Sequence, residues 1–477
     1  MQLKSLINFF ANKETSMGAP PYRIWEMINR SETGIFMEEK DFVRKRLIPE
    51  IQKTVKKHEV KYDPAFPVNI SDTMADKVWN AAVDAFLAIG VYNKSTHRVI
   101  SFTEEEIKEA FLSLPGSYIF GAGKDARPFI AREIEDKRPP FMLYSPDITY
   151  DESDHLKACV AYLKEPLLDG LCAPILENFF GDKINSHSPT ELGGSLMHAM
   201  NLLEAARLVG RPGVHLVAVG TAEADSSQIH VSSNEYGVRT TDSRLVASTT
   251  ELETNNELLN KGLHYHQFGC YSGNLAGAIF GGYAGGAEGT AVLQTAYHIM
   301  GNLLYSSHYE QNFPFHLKYG SNTGTEMLWI TSVYSQAIAR NTKMPQTSNG
   351  FANAGPGTEM LYYETAAHSL ASTVSGANLW EMAPARNKYP NRGTPLECRL
   401  AAEVGYGAAL SGMTRKDANA IVKKLVKKYE ENIPDAPIGK TFREMYAVER
   451  AIPNKEAADQ YKEIKRDLKN LGVPFPY

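Results

Sequence analysis

The chain has 477 residues, 43% hydrophobic and 22% charged, with a formal charge of -5. That composition supports a substantial core and argues against a nucleic-acid surface, and no basic stripe with interleaved aromatics occurs. Cys159, Cys172, Cys270 and Cys398 lack metal-ligand or redox spacing, and no run of eighteen apolar residues could span a membrane. We therefore expect a soluble, cytoplasmic protein that holds no metal of its own.

Met1 to Ala11 is only briefly apolar, too short and broken for a signal peptide. Residues 1–70, charged and punctuated by Pro20, Pro21, Pro64 and Pro67, read as an N-terminal extension wrapped on the main body. A helix then starts at Ser71 or Asp72, repeats Met74, Val78, Ala82 and Ala85/Phe86, and stops at Gly90. Thr103-Glu-Glu-Glu106 is a capping box that opens a second helix, ended by Pro115-Gly116. Ser188-Pro-Thr-Glu191 announces a third, running to about Val209.

After Gly210-Arg-Pro-Gly213, the run Val214 to Val219 is apolar except for His215 and reads as a strand buried on both faces. Ala278–Phe280 and Phe315–Tyr319 are further candidate strands, alternating with helices over Gly289–Leu304 and Thr325–Ala339. Repeated strand, loop and helix means βα units on a parallel sheet. A (β/α)8 TIM barrel is the leading α/β fold, with a doubly wound open sheet behind it. Thr414-Arg-Lys-Asp417 starts another helix, and a charged one runs from about Lys455 to Leu471. Residues 71–450 are read as the barrel domain and 451–477 as a C-terminal helical segment packed on it.

Chemistry in such folds sits past the carboxyl ends of the strands, where Gly220 to Glu223 fall. The loop Gly281 to Gly286, followed by Glu288, can present amides to a ligand or simply be a tight turn. It is neither a Walker loop nor a clean dinucleotide fingerprint. His264-Tyr-His266 would share a strand face, but no third ligand stands at a convincing interval. Tyr319, Ser321 and Asn322 can either orient a polar substrate or build a turn. Glu359 sits in the first turn of a helix, where a carboxylate also suits the dipole. Taken together, these loops offer aromatic rings and isolated carboxylates, the tools for holding a cation.

Gly210-Arg-Pro-Gly213, Ile279-Phe-Gly-Gly-Tyr-Ala-Gly-Gly286, Ala354-Gly-Pro-Gly-Thr-Glu-Met360 and Ala436-Pro-Ile-Gly-Lys-Thr-Phe442 resemble segments of monomethylamine:corrinoid methyltransferases. So do Thr96-His-Arg98, Thr103 to Ile107, Gly121 to Asp125, Thr241-Asp-Ser243 and Glu397 to Glu403, in the same order from about residue 70 onward. The resemblance implies a TIM barrel, a hexameric homo-oligomer and a small partner protein whose corrinoid Co(I) accepts a methyl group. It also implies that the chain binds no cofactor itself, and a place in one-carbon metabolism such as methanogenesis.

These enzymes carry pyrrolysine, whose position falls here on Val217 or Ala218. The glutamates beside it fall on Leu245 and Leu275, and its glutamine and tyrosine on Asn349 and Phe351. The expected activity is therefore a pyrrolysine-independent transfer from a methylated or quaternary amine. Tyr265, Tyr271, Tyr283 and Phe351 are its candidate wall, and Glu223, Asp242, Glu288 and Glu359 its candidates for balancing charge or moving a proton. The competing expectations are a barrel that kept its corrinoid-protein surface but lost catalysis, and a non-amine methyl donor.

Overall fold

Eight parallel strands form the centre of the protein, whose computed structural model describes residues 21–217, 223–249 and 251–477. In chain order they are β1 (Met142–Tyr144), β2 (Gly170–Cys172), β3 (His215–Val217) and β4 (Ser243–Ala247), followed by β5 (Tyr271–Ala276), β6 (Tyr309–Asn312), β7 (Gln346–Phe351) and β8 (Asn378–Ala383). Each pairs with its neighbour in sequence and β8 returns to β1, with one break: among the described residues β3 and β4 share no ladder. Side chains cross that seam. The Leu216 amide donates to Asp242 Oδ1 at 3.0 Å, and Arg239 donates to the Val214 carbonyl. A (β/α)8 barrel is thus the fold, as the alternation of elements predicts.

The helices cover the outside, so the strands are buried on both faces. Their boundaries follow local chemistry. Ser71 Oγ accepts from the Met74 amide at 3.2 Å, and Gly90 ends that helix at φ +71. Thr103 and Glu106 cap each other, and Glu106 also accepts from Arg30 at 2.6 Å, which ties the helix Pro21–Thr33 to the body. The last helix, Lys455–Leu471, buries Ala457, Tyr461, Ile464 and Leu468, one stripe at helical spacing.

Three expectations change. Ala278–Phe280 and Phe315–Tyr319 are not barrel strands. They reduce to Ile279–Phe280 and Phe315–His316, a two-residue parallel pair just past the ends of β5 and β6. The true strands were hidden by polarity. Tyr271-Ser-Gly-Asn-Leu-Ala276 and Tyr309-Glu-Gln-Asn312 are interior because buried partners take up several of their polar groups: Asn274 Nδ2 donates to Glu310 Oε1 at 2.6 Å, and Gln294 Nε2 to Asn312 Oδ1 at 2.7 Å. His264 and His266 lie on the helix Asn256–Phe268, so the strand-face argument does not apply to them.

The amino-terminal end of the barrel is plugged by a hairpin, Ser117–Phe120 paired with Arg127–Ile130. Its Tyr118, Phe120 and Phe129 enter an interior cluster with Phe141, Val217, Leu245, Tyr309 and Trp380. The Phe120 ring stacks on His215 at 4.3 Å. The Gly210-Arg-Pro-Gly213 turn docks on this plug. Its Gly213 amide donates to Asp125 at 3.0 Å, and a Cβ there would stand 2.0 Å from the Ala122 carbonyl oxygen.

Candidate active site at the carboxyl ends of the strands

Above the aromatic floor lies a cavity of about 710 Å³. Seven strands or the residues just past them line it: Asp147 after β1, Cys172 and Ala173 at β2, Leu245 and Ala247 on β4, Leu275 on β5, Gln311 on β6, Asn349 and Phe351 on β7, and Trp380 on β8. Phe313 completes an aromatic side, its ring centroid 5.8 Å from that of Phe351. The remaining wall comes from the β3–β4 side of the rim and carries the charge: His187, Glu223, Glu257 and Lys261.

The polar groups of the wall are held from behind. Asn322, fully buried, donates to the Asn349 carbonyl at 2.7 Å and accepts from the Phe351 amide at 2.8 Å, fixing the end of β7. Asp147 accepts from Ser145 Oγ at 2.5 Å and from Asn349 Nδ2 at 3.1 Å. Burial pushes its carboxyl up from the ordinary range, while these two hydrogen bonds pull the other way. Glu223 accepts from Ser186 Oγ at 2.8 Å, and Glu257 sits 3.2 Å from the His187 ring nitrogen.

Four buried polar atoms of this wall have no hydrogen-bond partner among the described residues: Thr249 Oγ1, Gln311 Oε1, Asn349 Oδ1 and the Trp380 indole N–H. An unpaired buried polar group costs about 1–3 kcal/mol. Their convergence on one cavity marks a place where a ligand or ordered water completes the bonding.

Of the residues singled out from sequence, Glu223, Leu245, Leu275, Asn349 and Phe351 lie on the cavity wall, with Asn322 directly behind it. Val217 is buried in the cluster beneath, and Ala218 lies outside the described residues. The others are elsewhere. Asp242 precedes β4 at the opposite end of the barrel, where it closes the seam and pairs with Arg239 at 2.8 Å. Tyr271 opens β5 and packs in the aromatic floor, 5.5 Å from Tyr118. Tyr265 is wholly buried and donates to Gln228 at 3.3 Å, one layer behind the wall.

Glu288 accepts from the Tyr62 amide at 3.1 Å, tying the N-terminal segment to a helix start. Tyr283 is on an exposed loop, and Glu359 is exposed beside the cap residue Thr358. The Gly355 loop is a packing device: the Gly355 amide donates to the Pro437 carbonyl at 2.8 Å, and a Cβ at Gly355 would meet the Ile438 carbonyl oxygen at 1.9 Å.

Sequence reasoning passed over Asp147, Gln311, Phe313, Trp380 and Lys261. Asp147 stands at φ +46, an unusual conformation for a non-glycine residue and one that gathers at functional sites. Nothing in one sequence shows such a dihedral. Gln311 and Trp380 belong to strands that a search for apolar runs does not find.

Comparison with known proteins agrees with this architecture. The family model described as monomethylamine methyltransferase MtmB matches residues 22–473. Monomethylamine methyltransferase MtmB2 of Methanosarcina acetivorans is 28% identical over 454 residues, 94% of this chain and 98% of that protein. MtmB1 of Methanosarcina barkeri gives the same identity and coverage. The crystal structure of the Methanosarcina barkeri enzyme superposes with a TM-score of 0.91 at 26% identity, covering 95% of this chain and 98% of the other.

Proposed function

The chain belongs to the monomethylamine methyltransferase MtmB family, and from that premise we propose that it moves a methyl group from a methylated amine to the Co(I) of a corrinoid protein without pyrrolysine. The observation that carries this reading is the cavity, floored by aromatic rings and walled by Phe313, Phe351 and Trp380, while the two positions where the resemblance places pyrrolysine, Val217 and Ala218, are valine and alanine in the sequence. The corrinoid arrives as a co-substrate on its partner protein, and the homo-oligomer, a hexamer by resemblance, belongs to the same proposal.

Methyl transfer to Co(I) breaks a C–N bond and leaves its electron pair on nitrogen, while cobalt supplies the pair for the new bond. A neutral amine would depart as an unstable anion. A quaternary ammonium departs as a neutral amine and needs no activating group. This chain supplies what such a donor requires. Aromatic faces attract a diffuse cation by up to about 2 kcal/mol when desolvated, and Asp147, bonded to Asn349 on the same wall, balances its charge. Asn322 and Ser145 hold the wall so that the methyl group keeps one direction.

The test is to incubate the protein with reduced corrinoid protein and a panel of mono-, di-, tri- and tetramethylated nitrogen compounds, following the Co(I) absorbance. Consumption by a quaternary donor is the expected result; if every compound leaves Co(I) untouched, the catalytic reading fails. Trp380→Leu should lower kcat/KM by about 30-fold, the equivalent of one desolvated cation–π contact. A catalytically silent scaffold is disfavoured by the four polar atoms around an open cavity that lack a partner among the described residues, since a collapsed core would have no reason to keep them.

A further inference from the structure

Lys261 is the feature of this cavity that a simple methylammonium does not use. It lies on the helix Asn256–Phe268, is 5% exposed, and faces the cavity. Its ammonium makes one hydrogen bond among the described residues, to the Glu223 carbonyl at 2.5 Å, and is paired with no carboxylate within 4.0 Å. An ammonium has three donors, so two have no hydrogen-bond partner among the described residues; burial pulls the ammonium below its ordinary range, while Glu257, Asp225, Glu223 and Glu191 hold it up from a distance without bonding it.

The acidic groups nearby are engaged elsewhere. Glu191 accepts from the backbone amides of His187, Glu223 and Ala224, and Asp225 from Asn260 at 2.8 Å. Glu257 faces the His187 ring and Glu223 accepts from Ser186. Thr249, also on the cavity wall, has a buried hydroxyl with no partner among the described residues. One side of the cavity thus holds unpaired aromatic and amide groups, and the other an ammonium and a hydroxyl with donors to spare. At about 710 Å³ the space also exceeds what a one-carbon amine fills.

We propose that Lys261, with Thr249, receives a carboxylate of the substrate, so that the methyl donor is a zwitterion: an N-methylated amino acid whose quaternary nitrogen sits against Phe313, Phe351 and Trp380. This rests on the methyltransferase reading above and names its substrate class. The methyl carbon leaves with its C–N electron pair staying on nitrogen, the product is the corresponding tertiary amino acid, and no proton need be supplied.

Trimethylglycine and tetramethylammonium, which differ in one carboxylate, test it with reduced corrinoid protein as acceptor. Trimethylglycine should have the higher kcat/KM by about 30-fold or more, the scale of a desolvated charge pair. K261M should bring the ratio toward one, and K261R should keep most of it; K261Q serves if K261M does not fold. A ratio near one in the unmodified protein, or a ratio that survives K261M, overturns the carboxylate site while leaving the methyltransferase reading intact. If neither compound is turned over, titration calorimetry still decides. Trimethylglycine binding that weakens tenfold or more in K261M supports the site, and no binding to the unmodified protein overturns it.

Discussion

Val217, one of the two positions (with Ala218) where the resemblance places the family's reactive residue, is an alkyl side chain and is buried. The neighbours that alignment predicts around it, Leu245, Leu275, Asn349 and Phe351, all reach the cavity wall, because each sits near the carboxyl end of a strand. Candidates chosen for their chemistry fare differently. Asp242 and Tyr271 lie at the other end of their strands, since residue type alone says nothing about which end or face a strand presents. Glu251 shows what burial does to a single carboxyl. It is 3% exposed, neither oxygen has a partner among the described residues, and burial with Glu253 nearby pushes it up to about 8 from its ordinary value of 4.5. Below 4.5 both folded and unfolded chains hold the proton; between 4.5 and 8 the unfolded chain releases it first, so folding weakens as pH rises. Glu251→Gln should therefore be the more stable protein at pH about 8, by roughly 2–4 kcal/mol. The gap should close toward pH about 4, as read from denaturant midpoints across that range.

Among elements, the capped helices were plain in the sequence because Ser71, Thr103, Ser188 and Thr414 write their starts into local hydrogen bonds. The strands β5, β6 and β7 were not, because Asn274, Glu310, Asn312 and Gln346 are buried polar residues whose partners come from distant sequence. The plug hairpin was also unannounced. Its Phe120 is 2% exposed and stacks on His215 and Phe129, making it the floor on which the cavity rests. Phe120→Ala should cost about 3–5 kcal/mol in denaturant unfolding. It should also raise KM for the methyl donor, because the layer beneath Val217 would relax into the void.

For the whole molecule, closure of the barrel depends on the seam between β3 and β4, where Asp242 replaces ladder bonds by accepting from Leu216 and Arg239. Asp242→Ala leaves that amide and guanidinium without their acceptor, and should destabilise the fold by about 3 kcal/mol. Hydrogen exchange at Leu216 should accelerate more than at the paired strand β6; equal protection at both would show that the seam closes by other means. By itself the sequence determined the helix starts, the βα alternation that makes a parallel barrel, and the family through several motifs in order. Each of these is local chemistry or a string of adjacent letters. Only the tertiary structure decided which carboxylates and rings share the cavity, that the Gly355 loop serves packing, and that Lys261 stands buried on the cavity wall with no carboxylate bonded to it among the described residues. Those facts depend on strand register and on residues tens to hundreds of positions apart, which no local pattern encodes.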